Sequence, residues 1–239
     1  MKDCYLFGAG EKTPLPRTPE KGDLVIAADG GLARCRELGI VPTLTVGDFD
    51  SLGEVPEGEN ILRLPVEKDD TDMQVAARKG LEMGCDTFYL LGGTGGRADH
   101  TIANLQLMHE LAGKGALPFL FGKEFVACVI RRGTLVFPEE MRGTLSVFCL
   151  AGKAKGVDLL GLYYPLAGGE LTFDRPLGVS NSFTGKTAYV TVRDGFLTLL
   201  WTRQEPLPSF SPLSVHPKAD PFLRPDFKKS EKSQKTSKK

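Results

Sequence analysis

The chain is expected to fold as an α/β domain followed by an all-β one. The first half alternates strand-like apolar runs with helix-patterned segments. The second half has seven short, glycine-punctuated β runs and no helical period. Such a pattern predicts an N-terminal open, largely parallel sheet with flanking helices, then a C-terminal β-sandwich. The proposed bounds are 1–123, 124–203 and a mobile Pro-rich and basic tail, 204–239. The 239 residues suit two small domains plus a tail.

In order, Cys4–Phe7 reads as a strand running into Gly8-Ala9-Gly10. Leu24–Ala28 is a second, ending at Asp29-Gly30-Gly31. Leu32–Leu38 has helical composition and stops at Gly39. Thr43–Val46 is a third strand, ending at Gly47-Asp48-Phe49-Asp50-Ser51. Ile61–Pro65 is short and extended. Thr71–Met83 carries apolar residues on one helical face, and Thr71 with Gln74 forms a capping box. Thr87–Leu91 is a buried-type strand followed by Gly92-Gly93-Thr94-Gly95-Gly96. Thr101–Leu111 is helical. The later strands are Phe125–Ile130, Gly133–Phe137, Thr144–Leu150, Val157–Leu160, Gly169–Phe173, Ala188–Val192 and Phe196–Trp201. Arg193-Asp194-Gly195 reads as a hairpin turn between the last two.

Thirty Lys and Arg balance thirty Asp and Glu, so the formal net charge is zero. That excludes a dedicated nucleic-acid binder of the basic type. The balance is uneven, because 224–239 alone carries a net +5 and the rest a net −5. No apolar run approaches the ~20 residues of a spanning helix, and no secretory signal is visible. Five widely spaced cysteines without a Cys-x-x-Cys pair suit reduced core thiols and a cytoplasmic protein.

The chemistry-bearing residues are carboxylates at strand ends: Asp29, then Asp48 and Asp50. Open α/β sheets bind ligands outside the carboxyl ends of their strands, so these acids converge on one rim. Asp70 and Asp72, at a helix start, can join them. Clustered like charges need a cation, and Mg²⁺ with substrate phosphates is the common solution. The glycine run 92–96 allows backbone N–H groups to approach phosphate oxygens, and Arg97 follows it. It is neither a Walker loop nor a dinucleotide fingerprint.

The motifs Asp29-Gly30-Gly31, Gly47-Asp48-Phe49-Asp50-Ser51, Lys68-Asp69-Asp70-Thr71-Asp72, Gly95-Gly96-Arg97-Ala98-Asp99-His100 with Asn104, and Ser180-Asn181 occur together and in this order. In this the chain resembles the bacterial thiamine pyrophosphokinases over about residues 4–203. The resemblance implies transfer of pyrophosphate from ATP to the thiamine hydroxyl, with Mg²⁺, in a homodimer with shared active sites, without nucleic acid or membrane. It implies Mg²⁺ ligation by Asp29, Asp48, Asp50 and Asp72, and catalytic roles for Asp48, Asp50, Asp72, Arg97 and Asp99. ATP contacts would come from Asp29, Gly30, Lys68, Asp70, Thr71, Gly95, Gly96, Arg97 and Asn104. Thiamine would meet Asp99, Ser180, Asn181 and Trp201. Asp99 is read as orienting the hydroxyl, since an ordinary carboxylate is a weak base; capping of the following helix is the lesser reading and is compatible with it. Trp201 is read either as stacking on thiamine or as a plain core residue. His109 is read as a surface residue near a helix end. The competing functions are a pyrophosphokinase for another alcohol, such as a hydroxymethylpterin, and a non-catalytic nucleotide-binding or sensing module.

Overall fold

Strands covered on both faces read as continuous apolar runs. Two such runs, β2 (Leu24–Ala28) and β5 (Thr87–Leu91), are buried at every residue. They flank β1 (Asp3–Phe7) at the centre of the sheet in the computed structural model, which describes residues 2–49 and 60–213. β3 (Leu44–Gly47) and β4 (Ile61–Arg63) extend the sheet beyond β2, and β6 (Leu117–Phe121) extends it beyond β5. All six are parallel, in the order β6-β5-β1-β2-β3-β4. The chain winds outward from β1 to β4 and then returns to β5 on the other side. The strand order therefore reverses at β1, and this is where an open sheet offers a crevice.

Alternate residues of β1 serve opposite faces. Tyr5 and Phe7 pack with Leu32 and Cys35 of α1 (Gly31–Glu37). Cys4 and Leu6 pack with Met73, Ala76 and Ala77 of α2 (Asp72–Glu82) and with Leu107, Met108 and Leu111 of α3 (Ala98–Gly113). The expected capping box is present. Thr71 Oγ1 accepts from the Gln74 N–H at 3.2 Å, and the Gln74 side chain accepts from the Thr71 N–H at 3.0 Å.

The second half comprises β7 (Phe125–Phe137), β8 (Thr144–Phe148), β9 (Lys153–Leu160), β10 (Leu166–Thr172), β11 (Gly178–Ser182), β12 (Ala188–Thr202) and β13 (Ser209–Pro212). β7 runs antiparallel to β6, with Phe119 opposite Cys128, so the hydrogen-bonded sheet continues across the turn near residue 123. β12 pairs with β7 along one side. Along the other it meets β9 with its first half and β8 with its second, which divides the strands into two layers. Phe137, Leu145, Val157, Leu171, Phe183 and Trp201 fill the core between them.

Three expectations are corrected. Phe125–Ile130 and Gly133–Phe137 are one strand, as are Ala188–Val192 and Phe196–Trp201. Arg193-Asp194-Gly195 is a bulge within β12, opposite Arg132 of β7, which has φ 48°. Both halves of β12 keep β7 as their partner, and that continuous ladder overrides the local turn preference. The strand-forming chain also continues past Arg203. Ser209–Pro212 pairs with Gly133–Val136 of β7. Proline is tolerated there because β13 is an edge strand. The basic stretch 224–239 and Asp50 lie outside the described residues.

Candidate active site

Asp29 follows β2, and its N–H donates to the Val46 carbonyl of β3 at 2.7 Å. Asp48 follows β3, and Asp72 opens α2, whose positive N-terminal end favours a carboxylate. The Lys68 ammonium lies between two of these acids, 3.0 Å from Asp48 Oδ2 and 3.1 Å from Asp72 Oδ1. All three side chains are largely covered, with 16%, 12% and 22% exposure for Lys68, Asp48 and Asp72.

The electrostatics follow from that crowding. Burial pushes the Asp72 carboxyl above its ordinary value; Lys68 opposes the shift, and the nearby charges of Asp48 and Asp29 add to it. Burial works against the Lys68 charge, but its bonds to Asp48 and Asp72 outweigh it and hold its pKa above the ordinary value. Among the described residues, no three His, Cys, Asp or Glu side chains already stand at metal-holding separation.

These acids form one wall of a cavity of about 690 Å³. Gly92–Gly96, Arg97 and the first turns of α3 also line it, as does Gly8–Glu11, which follows β1. The glycine loop is anchored by Asn104, whose side-chain amide donates to the Gly93 carbonyl at 2.7 Å. Arg97 is gripped by Asp99, with Nη2 to Oδ2 at 2.6 Å and Nε to Oδ1 at 3.2 Å. Hydrogen bonding from Arg97 drives the Asp99 pKa down to about 2.

The structure brings Asp29, Asp48, Thr71, Asp72, Gly95, Gly96, Arg97 and Asn104 to this single cavity, and Lys68 is bonded to two of its acids, Asp48 and Asp72. Other anticipated residues are engaged elsewhere. Asp70 pairs with Arg78 at 2.7 Å, and Arg78 also holds Glu110 of α3. Gly30 borders a smaller neighbouring cavity beside α1. Asp99 is not the cap of α3; Arg97 occupies that position, with no side-chain cap bond. Trp201 is 1% exposed, edge-on to Phe119 and Phe137 at 6.4 and 5.3 Å, so its faces are not offered to a ligand. Asn181 is 2% exposed and clasps the Tyr164 backbone, accepting from its N–H at 2.9 Å and donating to its carbonyl at 2.7 Å. Ser180 is exposed at φ 58°. His109 is partly buried between α3 and β12; its Nδ1 lies 2.9 Å from the Leu105 carbonyl and its Nε2 3.2 Å from Thr198 Oγ1.

Glu11 carries no motif signal in the sequence. It lines the cavity and bonds to Thr94, and only its place after Gly8-Ala9-Gly10 could have marked it.

Comparison with known proteins agrees with this layout. Residues 15–117 match the family model described as thiamin pyrophosphokinase, catalytic domain. Residues 134–197 match the thiamin pyrophosphokinase vitamin B1 binding domain. The thiamine pyrophosphokinase of Bacillus subtilis (strain 168) is 27% identical over 210 residues, which is 84% of this chain and 98% of that protein. A crystal structure of the B. subtilis thiamine pyrophosphokinase superposes with TM-score 0.75 at 24% identity, over 86% of this chain and all of that one. A thiamin pyrophosphokinase family protein from Enterococcus faecalis does so with TM-score 0.69 at 26% identity, over the same share of this chain and all of its own. The catalytic and vitamin-binding models fall in order on the α/β and β halves, and the chain belongs to the thiamine pyrophosphokinase family.

Proposed function

We propose that this protein transfers the pyrophosphoryl group of ATP to the hydroxyl of thiamine, giving thiamine diphosphate and AMP. The observation that carries this reading is the single cavity that Asp48 and Asp72, bridged by Lys68, share with a glycine loop and Arg97. The family match supports it. The bond from the thiamine oxygen to the β-phosphorus forms as the bond from that phosphorus to the AMP oxygen breaks, and the hydroxyl proton is released to water. Such a transfer depends on positioning and charge neutralisation rather than on covalent work by the protein.

Within that reading, the backbone of Gly95 and Gly96, together with Arg97, binds phosphate. Lys68 contacts the triphosphate from the acidic side. Asp99, held ionised by Arg97, orients the hydroxyl. The donor set suits Mg²⁺: hard carboxylate oxygens whose repulsion already calls for a cation, here the Lys68 ammonium. Asp29, Asp48 and Asp72 would hold it. When bound, it neutralises charge on the phosphate oxygens.

Thiamine is assigned to the sandwich near Ser180 and Asn181. A cavity of about 170 Å³ lies there, lined in part by Tyr164, Leu177 and Asn181. Tyr163, Tyr164 and Phe173 are exposed by 66%, 63% and 70%, which favours burial against a second copy and a homodimer with shared sites. A cytoplasmic setting fits five buried free thiols. The test is incubation with ATP, Mg²⁺ and thiamine. AMP and thiamine diphosphate should form in equal amounts, and excess chelator should stop turnover. ADP as product, or turnover without thiamine, would overturn the reading.

A further inference from the structure

Glu11 lies outside the acidic cluster and outside every motif of the family resemblance. It sits just beyond β1, where the loops after β1 and β5 keep pairing past the strand ends. The N–H groups of Gly8, Gly10 and Glu11 donate to the carbonyls of Leu91, Gly92 and Thr94 at 2.8, 2.8 and 2.7 Å. The Glu11 carboxylate then joins a third loop. Its Oε1 accepts from Thr94 Oγ1 at 2.5 Å and from the N–H of Lys123, in the β6–β7 turn, at 3.1 Å. Thr94 is only 4% exposed. Gly95, at φ 83°, permits this approach, because a Cβ there would lie 2.7 Å from Glu11 Cβ.

We propose that Glu11 is a positioning residue for ATP, holding Gly92–Gly96 in the conformation that presents its N–H groups and Arg97 to the phosphates. This rests on the reading of that loop as the phosphate site. A segment so rich in glycine has little order of its own, and ordering it on binding would subtract from affinity. Its order comes from outside: the backbone N–H groups of Gly10 and Glu11 hold the Gly92 and Thr94 carbonyls, and among side chains Asn104 fixes Gly93 and Glu11 fixes Thr94. The Glu11 charge itself opposes a polyphosphate, so its contribution is the acceptor geometry of Oε1. Glutamine has an oxygen in the same place.

Steady-state kinetics and thermal melting of Glu11→Ala, Glu11→Gln, Thr94→Val, Thr94→Ser and Arg97→Ala test this. Glu11→Ala and Thr94→Val should each raise the KM for ATP about tenfold, the worth of one hydrogen bond. The KM for thiamine should stay within about twofold, a change too small to reflect a lost bond. Glu11→Gln and Thr94→Ser should restore the KM for ATP. A lowered melting temperature with an unchanged KM for ATP in Glu11→Ala would overturn the proposal, as would failure of Glu11→Gln to restore it. If Glu11→Ala does not fold, the Thr94→Val and Thr94→Ser pair decides the question by the same two outcomes. Arg97→Ala separates the two levels. A raised KM for ATP there with none in Glu11→Ala refutes the positioning role alone; an unchanged KM there refutes the phosphate-loop reading and this proposal with it.

Discussion

Arg97 holds the Asp99 carboxylate at two points, 2.6 and 3.2 Å away, in the first turn of α3. The hydrogen bond from Arg97 is the main cause that lowers the Asp99 pKa to about 2. A carboxylate that acidic accepts protons poorly. Asp99→Asn should therefore lower kcat by about tenfold and keep the shape of the pH–rate profile, rather than lose the ~10²–10⁴ of a general base. Disappearance of an acid-limb dependence in Asp99→Asn would assign it proton transfer instead.

Asp72 has the opposite tendency, because burial raises its pKa. A raised folded-state value gives a contribution that is present below the ordinary carboxylate pKa and lost as pH rises through the folded value. Ionised Asp72 thus costs stability at neutral pH. Asp72→Asn should melt higher than the parent at neutral pH, with the gap closing in acid, while turnover falls by at least ~10²-fold. Asp48→Asn should lose turnover to a similar degree with the fold intact by circular dichroism. A lower melting temperature for Asp72→Asn at neutral pH would show that the Lys68 pairing outweighs the burial cost.

Trp201 supplies a direct optical check, as the single Trp of the chain. Buried against Phe119 and Phe137, it should emit at short wavelength, resist acrylamide and ignore added thiamine. Trp201→Ala should cost about 3–5 kcal/mol in urea unfolding, as for other large core truncations. Strong quenching by thiamine would place it at the ligand.

Gly31 begins α1 where the helix backbone meets β1. A Cβ there would lie 1.8 Å from the Phe7 carbonyl oxygen, which is backbone and cannot swing away. Gly31→Ala should cost about 1–3 kcal/mol of stability by overpacking. An unchanged melting temperature would mean that α1 shifts freely on the sheet.

Much of the fold was legible because its signals are local. The Thr71–Gln74 capping box announced α2, and unbroken apolar runs announced β2 and β5. That Asp29 and Asp48 would line one cavity was legible because they stand at strand ends. The pairing of Asp70 with Arg78, and of Arg78 with Glu110, was not legible, since it depends on how α2 packs beside α3. The turn expected at Arg193-Asp194-Gly195 had the right residues, but β7 remains the neighbour on both sides of it.

By itself, then, the sequence determined the order of elements in the α/β half, the change to an all-β second half, and which strand ends carry acids. Those depend on spacing, capping and apolar period, which act over a few residues. Only the tertiary structure decided which groups meet. Glu11 reaches Thr94 across 83 positions and Lys123 across 112, and Lys68 comes to stand between Asp48 and Asp72. Such contacts follow from strand register and sheet twist, which are set by the packing of the whole sheet rather than by any local run of residues.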